Sequence, residues 1–393
     1  MAQTLTAGDE SPQKPHDFPA QPPDSVLVRA DSPAALLALV PHLLGFVPEA
    51  SLVVIGTERP HGGVKVTLRY DLPDPSGVGI AADLAAHAVG VLSAQEITTM
   101  VAVGYGPGAL VDLVAAAVRD AARATGIDLQ EFIRAEGGRY WSYFCGDDAC
   151  CPAAGVPVDP RIQAPAATLG AAGEAGVLAD RTAVAARVAP LTGIAAESMR
   201  QATRRAERHV SALLAKARKS GRLGAVRHLI ASEGLATVIA LVTTYRAGGR
   251  VSTDYQFAQM TVALQDLRVR DDAWARMDPV HRDAHRRLWI DVIRRAQPGY
   301  VAAPAALLAF VAWQSGDGAL ANVALDRALA DDPRYSMALL LRQVITAGAP
   351  PSLARLPMTP EEVAASYHDA GEHADRDHDM DIDVHDPDLD DER

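Results

Sequence analysis

Apolar positions in the first half of the chain switch repeatedly between two periods. In VKVTLRY, Val64, Val66, Leu68 and Tyr70 fall on one face and Lys65, Thr67 and Arg69 on the other, the alternation of a strand with one wet side. The turn at His61-Gly62-Gly63 makes it the hairpin partner of SLVVIG (Ser51–Gly56). That run and TTMVAVG (Thr98–Gly104) are apolar without interruption, as strands covered on both faces are. Leu129–Arg134 and the aromatic Arg139–Phe144 (RYWSYF) read as further strands, and Val26–Arg29 is a short apolar run. Helical spacing lies between them. Leu36, Leu37, Leu39, Val40, Leu43 and Leu44 form a stripe behind Asp31-Ser32-Pro33, which supplies an N-cap and a proline for the first turn. Pro41 is expected to kink this helix and Gly45 to cap its end. Further helices are expected at Ile80–Leu92 and Ala109–Thr125.

Beyond a Pro-, Gly- and Ala-rich stretch at 152–180 the 3.6-residue period takes over. Met199, Ala202, Ala206, Val210, Leu213, Leu214 and Ala217 make one stripe, and Leu223–Tyr245 a second helix or pair. Others are expected at Tyr255–Arg268, His281–Ala296 and Pro304–Gln314. Trp313, Gly316-Asp317, Ala321, Ala324-Leu325, Ala328-Leu329 and Asp332-Pro333 follow the cadence of one tetratricopeptide-type hairpin. The expected fold class is therefore α/β, a mixed, partly parallel sheet covered by helices, followed by an all-α domain containing a tetratricopeptide-like helical hairpin. The expected division is a disordered leader (1–25), an α/β domain (26–160), a linker (161–180), a helical domain (181–357) and an acidic disordered tail (358–393).

Composition narrows the function classes. The first 25 residues carry Asp9, Glu10 and five prolines, not the basic start and apolar core of a signal peptide. No unbroken apolar run approaches the roughly 18–20 residues of a membrane span, Leu235–Val242 being among the longest. A cytoplasmic protein with no membrane partner is the expectation. The net charge of −12 comes from one end: residues 361–393 hold fourteen Asp/Glu against two Arg, and the rest balances at 35 acids and 35 cations. Global charge thus predicts no affinity for nucleic acid.

Four features carry candidate chemistry. The three cysteines, Cys145, Cys150 and Cys151, lie within seven residues. In a reducing compartment such spacing suits a zinc site, a redox pair of Cys145 with Cys150, or small apolar packing at a turn. Gly104, Gly106 and Gly108 join a strand to a helix, where free N–H groups favour an anion, although neither a Walker loop nor a full GxGxxG is present. From 199 to 228 nine cations, among them Arg200, Arg204, Arg205 and Arg208, face the single acid Glu207. They suit a solvated face, phosphate contacts, an acidic partner, or the chain's own acidic tail. The tail combines aspartates with His368, His373, His378 and His385 but lacks the glycine and final Glu of an EF-hand loop. No G-x-S-x-G or HExxH occurs; His281 and His285 enclose Arg-Asp-Ala.

The segments SPAALLALVPHLLGFVPEASLVVIG, YWSYFCGDDACCPAAGVPV and GDGALANVALDRALADDPRYSMALLL together resemble the actinobacterial domain of unknown function 4192 family, over about Val26 to Gly348. The resemblance implies a cytoplasmic actinobacterial protein and supplies no activity, cofactor or catalytic residue. The leading expectation is a protein- or ligand-binding scaffold whose helical domain meets a protein partner. The alternatives are an enzyme with its site at the sheet's carboxyl edge near Gly104–Gly108, and a nucleic-acid-associated protein acting through the helix at 199–228.

Overall fold

The computed structural model describes residues 32–58, 63–159, 161, 176–250, 253–351 and 359–367. The expected leader, the run at Val26–Arg29, most of the linker and the tail beyond Tyr367 lie outside them.

Strand β1 (Ser51–Glu58) is buried from Ser51 to Thr57 because both of its faces are covered. Helix α1 (Pro33–Leu44) covers one face, packing Leu36, Leu37 and Val40 on Val53 and Ile55 of β1. Its Ser32 side chain accepts from Ala35 N–H at 3.2 Å, it continues through Pro41, and Gly45 ends it at φ +77°. Helices α2 (Val78–Ala94) and α3 (Gly108–Thr125) cover the other face, over Leu52, Val54, Met100, Ala102 and Phe132. Strand β2 (Gly63–Asp71) is the half-exposed edge that its alternation predicts.

The other strands are β3 (Thr99–Tyr105), β4 (Asp128–Glu136), β5 (Arg139–Ser142) and β6 (Val156–Pro157). Sheet order is β2-β1-β3-β4-β5-β6. Only β3 and β4 run parallel, joined by α3; the other neighbours are antiparallel. A parallel pair needs such a crossover, whereas the hairpins need only turns. The N-terminal part is thus a mixed sheet covered by helices, and an all-α region follows it.

That region contains α4 (Arg181–Arg187), α5 (Gly193–Ser220), α6 (Leu223–Arg246), α7 (Asp254–Ala263), α8 (Leu267–Ala275), a 3-10 turn (Pro279–His281), α9 (Arg282–Arg295), α10 (Ala302–Gln314), α11 (Gly318–Asp331) and α12 (Ser336–Thr346). Residues 360–367 form a further helix, α13, with Val363 buried. Every residue of α10 from Ala302 to Trp313 is buried, which its all-round apolar sequence AAPAALLAFVAW requires. The expected single helix over Tyr255–Arg268 is two. Asp266 interrupts it, accepting from Arg268 N–H at 2.9 Å and so capping α8. Leu223–Tyr245, in contrast, is one helix that runs through Gly234, where an added Cβ would lie 2.9 Å from that of Ala263. By length and composition α6 is the one described helix able to cross a membrane, and much of its surface is exposed.

Among the described residues the two regions meet around Phe46 and at the end of α12. Phe46 pairs with Leu178 in an isolated bridge and belongs to the helical core. At the end of α12, Gly348 (φ +68°) leaves room for Val91 of α2, and the Gln95 amide donates to its carbonyl.

Candidate metal centre

Strand β5 sets Ile133 opposite Ser142 and Arg134 opposite Trp141. Tyr143 extends the pairing, its N–H donating to Phe132 O at 2.9 Å. The chain then leaves the sheet, and Ser142 guides it. The hydroxyl donates to the Glu131 carboxylate at 2.9 and 3.1 Å and accepts from Phe144 and Cys145 N–H at 3.1 and 3.2 Å. Burial raises the Glu131 carboxyl above its ordinary value, against the opposing hydrogen bonds from Ser142 and Phe132.

Asp147 makes the reversal. Its carboxylate accepts from Ala149 N–H at 2.9 Å, and its carbonyl accepts from Cys150 and Cys151 N–H at 3.1 and 2.7 Å. This Asx-type turn folds Cys150 and Cys151 back over Cys145, so that the three sulfurs lie within 4.8 Å of one another. The loop is then pinned to the sheet edge. Gly155 N–H donates to Pro152 O at 2.7 Å, and Tyr140 and Arg139 pair with Val156 and Pro157. Trp141 Nε1–H donates to Ala153 O at 3.0 Å.

A tetrahedral ion with Zn–S bonds of about 2.3 Å holds its sulfurs about 3.8 Å apart. The cluster therefore needs to contract by no more than about 1 Å to seat one. Its protons are already divided unequally. Hydrogen bonds from Asp147 N–H and from the Cys151 thiol hold Cys145 below the ordinary thiol value. Cys151, which donates to Cys145, is pushed up to about 12 by that bond and by burial. Three donors leave a fourth position for water or a ligand.

Cys150 is exposed and the other two are half-buried. Small apolar packing in a core, one of the readings open from sequence, is not what the fold shows. The turn amides that bring the sulfurs together also hold them at the surface.

The other predicted residues are placed elsewhere. Gly104 packs on Val111, whose Cγ1 would lie 2.4 Å from an added Cβ, and Gly106 has φ +148° and donates to Ala135 O at 3.0 Å. Gly108 opens α3, but Arg134 Nη1 would lie 2.1 Å from an added Cβ there. A guanidinium thus fills the space beside Gly108. Its plane lies 3.7 Å over Trp141, so the glycine turn and the cysteine loop meet through Arg134. Arg200, Arg204, Arg205 and Arg208 lie on α5, where Arg200 pairs with Glu197 and Arg205 stacks 4.3 Å over Tyr255.

One cluster has no counterpart among the predicted sites. Asp278 gathers Arg246 at 2.8 Å, His281 at 2.9 Å and the buried His285 at 3.6 Å, beside a cavity of about 250 Å³ lined partly by Arg246, Arg276 and Pro360. The His-x3-His spacing with an Asp three residues earlier was its sequence signal. Arg246 already supplies the cation that this carboxylate needs, so the cluster ties α6 to α9.

A family model described as "Domain of unknown function (DUF4192)" matches residues 33–352. No curated protein and no solved structure matches the chain.

Proposed function

The chain belongs to the domain of unknown function 4192 (DUF4192) family, and from its own geometry we propose that it is a cytoplasmic, metal-dependent binding protein whose three-cysteine loop holds a thiophilic divalent cation, zinc foremost. The observation that carries this reading is the convergence of three sulfurs within 4.8 Å at a loop pinned to a sheet edge. Cys145, with its depressed value, is the first ligand to lose its proton, and metal binding drives off the protons of Cys150 and Cys151. The open fourth position makes the centre a capture point for a donor group from a small ligand or from a partner protein.

The test is elemental analysis with thiol titration, on protein purified under reducing, chelator-free conditions. The expected result is about one zinc per chain, lost in Cys145→Ser and in Cys150→Ser. Metal-free protein whose three thiols react quickly, with no protection by added Zn²⁺, overturns the reading. Ready formation of a Cys145–Cys150 disulfide in that protein would assign the loop to redox chemistry instead.

A further inference from the structure

Helices α5 and α6 are long, about 42 and 36 Å at 1.5 Å per residue, and the chain turns back between them at Gly221-Arg222. They enter the helical core through Met199, Thr203 and Ala206 on α5 and, from Ala231 onward, through Ala231, Val238, Leu241 and Tyr245 on α6. From Glu207 to Ile230 the single buried residue is Ala217. Val210, Leu213, Leu214, Leu223, Val226 and Ile230 are only half-buried, and Leu229 is 46% exposed. This apolar seam is bordered by Arg208, Lys216, Arg218, Lys219, Arg222 and Arg227, all exposed, and the sequence holds no acid between Arg208 and His228. The flanking acids are committed, Glu207 to Tyr300 and Glu233 to His209. Among the described residues none of the six cations has an ion-pair partner. A half-covered seam framed by six cations calls for an occupant that is both acidic and apolar.

The chain carries such a segment. Residues 368–393 hold twelve Asp/Glu against Arg376 and Arg393, and between Asp377 and Val384 aspartates alternate with His378, Met380, Ile382 and Val384. In an extended backbone that alternation separates a carboxylate face from an apolar one. The point of departure is also suitable. Tyr367, the last described residue of α13, donates its hydroxyl to Asp271 of α8 at 2.7 Å, and α8 packs on α6. Twenty-six residues reach up to about 85 Å, more than twice the length of α6. Attachment gives the segment an effective concentration on the order of millimolar, which lets individually weak surface pairs add up.

We propose that residues 368–393 dock on the basic end of the α5–α6 pair and close it to other polyanions. This proposal stands apart from the metal centre: it uses no residue of the cysteine loop.

Lysine content makes the test direct, because the chain has four lysines, Lys14, Lys65, Lys216 and Lys219. The full chain is treated with a zero-length carbodiimide cross-linker and mapped by mass spectrometry. Expected are links from Lys216 and Lys219 to acids of 368–393 within a monomer-sized product, lost at 1 M salt (roughly a 3 Å Debye length). The second measurement uses chain truncated after Tyr367 and a synthetic 368–393 peptide. The peptide should bind, and binding should fall at least about tenfold in the K216E/R218E/K219E/R222E variant, since each change reverses one pairing charge. Those four positions are exposed, so the variant keeps its fold, as circular dichroism verifies. Truncation should also strengthen binding to heparin and to single-stranded RNA. The proposal is overturned by links confined to Lys14 or Lys65, by peptide binding that the charge reversal leaves unchanged, or by equal polyanion binding with and without the tail. Links found only in dimer-sized product would replace docking within one chain by exchange between two copies.

Discussion

Arg134 and Trp141 sit opposite each other on neighbouring strands, with the guanidinium 3.7 Å above the indole ring. The ring is also held from the loop side, because an added Cβ on Gly155 would lie 2.5 Å from Trp141 Cε2. Gly155 has φ +78°, so Gly155→Ala meets both strain and a clash. We expect a loss of about 1–3 kcal/mol in denaturant unfolding, with faster modification of Cys145 by a thiol reagent. Trp141→Phe, which keeps an aromatic face but loses the bond to Ala153, should show a smaller loss.

Metal affinity should rise with pH. Cys151, at about 12 in the metal-free loop, is protonated at neutral pH and must lose its proton to ligate. The apparent zinc affinity should therefore increase roughly tenfold per pH unit for each proton displaced. Competition with a chromophoric chelator between pH 6 and 8 measures the slope; a flat profile would count against thiolate ligation.

Stability should fall on mild acidification through His285. Burial holds its value below the ordinary one; Asp278 opposes this, and Arg246 and His281 reinforce it. For a base depressed on folding, the stabilisation is complete above the unfolded value near 6.5 and is lost as pH falls towards the folded one. Each unit of depression corresponds to about 1.4 kcal/mol. Melting temperatures at pH 7.5 and 5 should separate more in the parent chain than in His285→Gln.

Asp331, at the end of α11, accepts from the N–H groups of Gly299, Val301 and Ala302 at 2.7, 2.8 and 3.1 Å. It thereby serves the otherwise unpaired amides that open the buried helix α10. Asp331→Ala should cost about 1–3 kcal/mol by chemical denaturation, with Asp331→Asn intermediate.

The strands and helices were legible where one periodicity dominated. The alternation of Val64–Tyr70 gave the edge strand, and the unbroken runs gave the two central strands. The break at Asp266 was not legible, because a capping aspartate inside a helical stripe looks like one more polar position until its side chain turns back. The cysteines could be nominated by spacing alone. Their convergence could not, since it depends on Asp147 accepting from the amides of Ala149, Cys150 and Cys151 and on the anchoring of Trp141. The Asp278 cluster was hidden for a related reason: Arg246 lies more than thirty residues away in sequence and meets it only when α6 packs on α9.

Phe46 follows the first helix of the sheet region and yet fills part of the helical core, held there by the bridge to Leu178. A fragment ending before Leu178 would carry a phenylalanine with nothing to cover it, and a fragment beginning there would carry a vacancy of matching size. The two halves are therefore not beads on a string. They are expected to melt in one cooperative step, and evolution or engineering that exchanges one half for a relative's must bring this aromatic plug and its socket together.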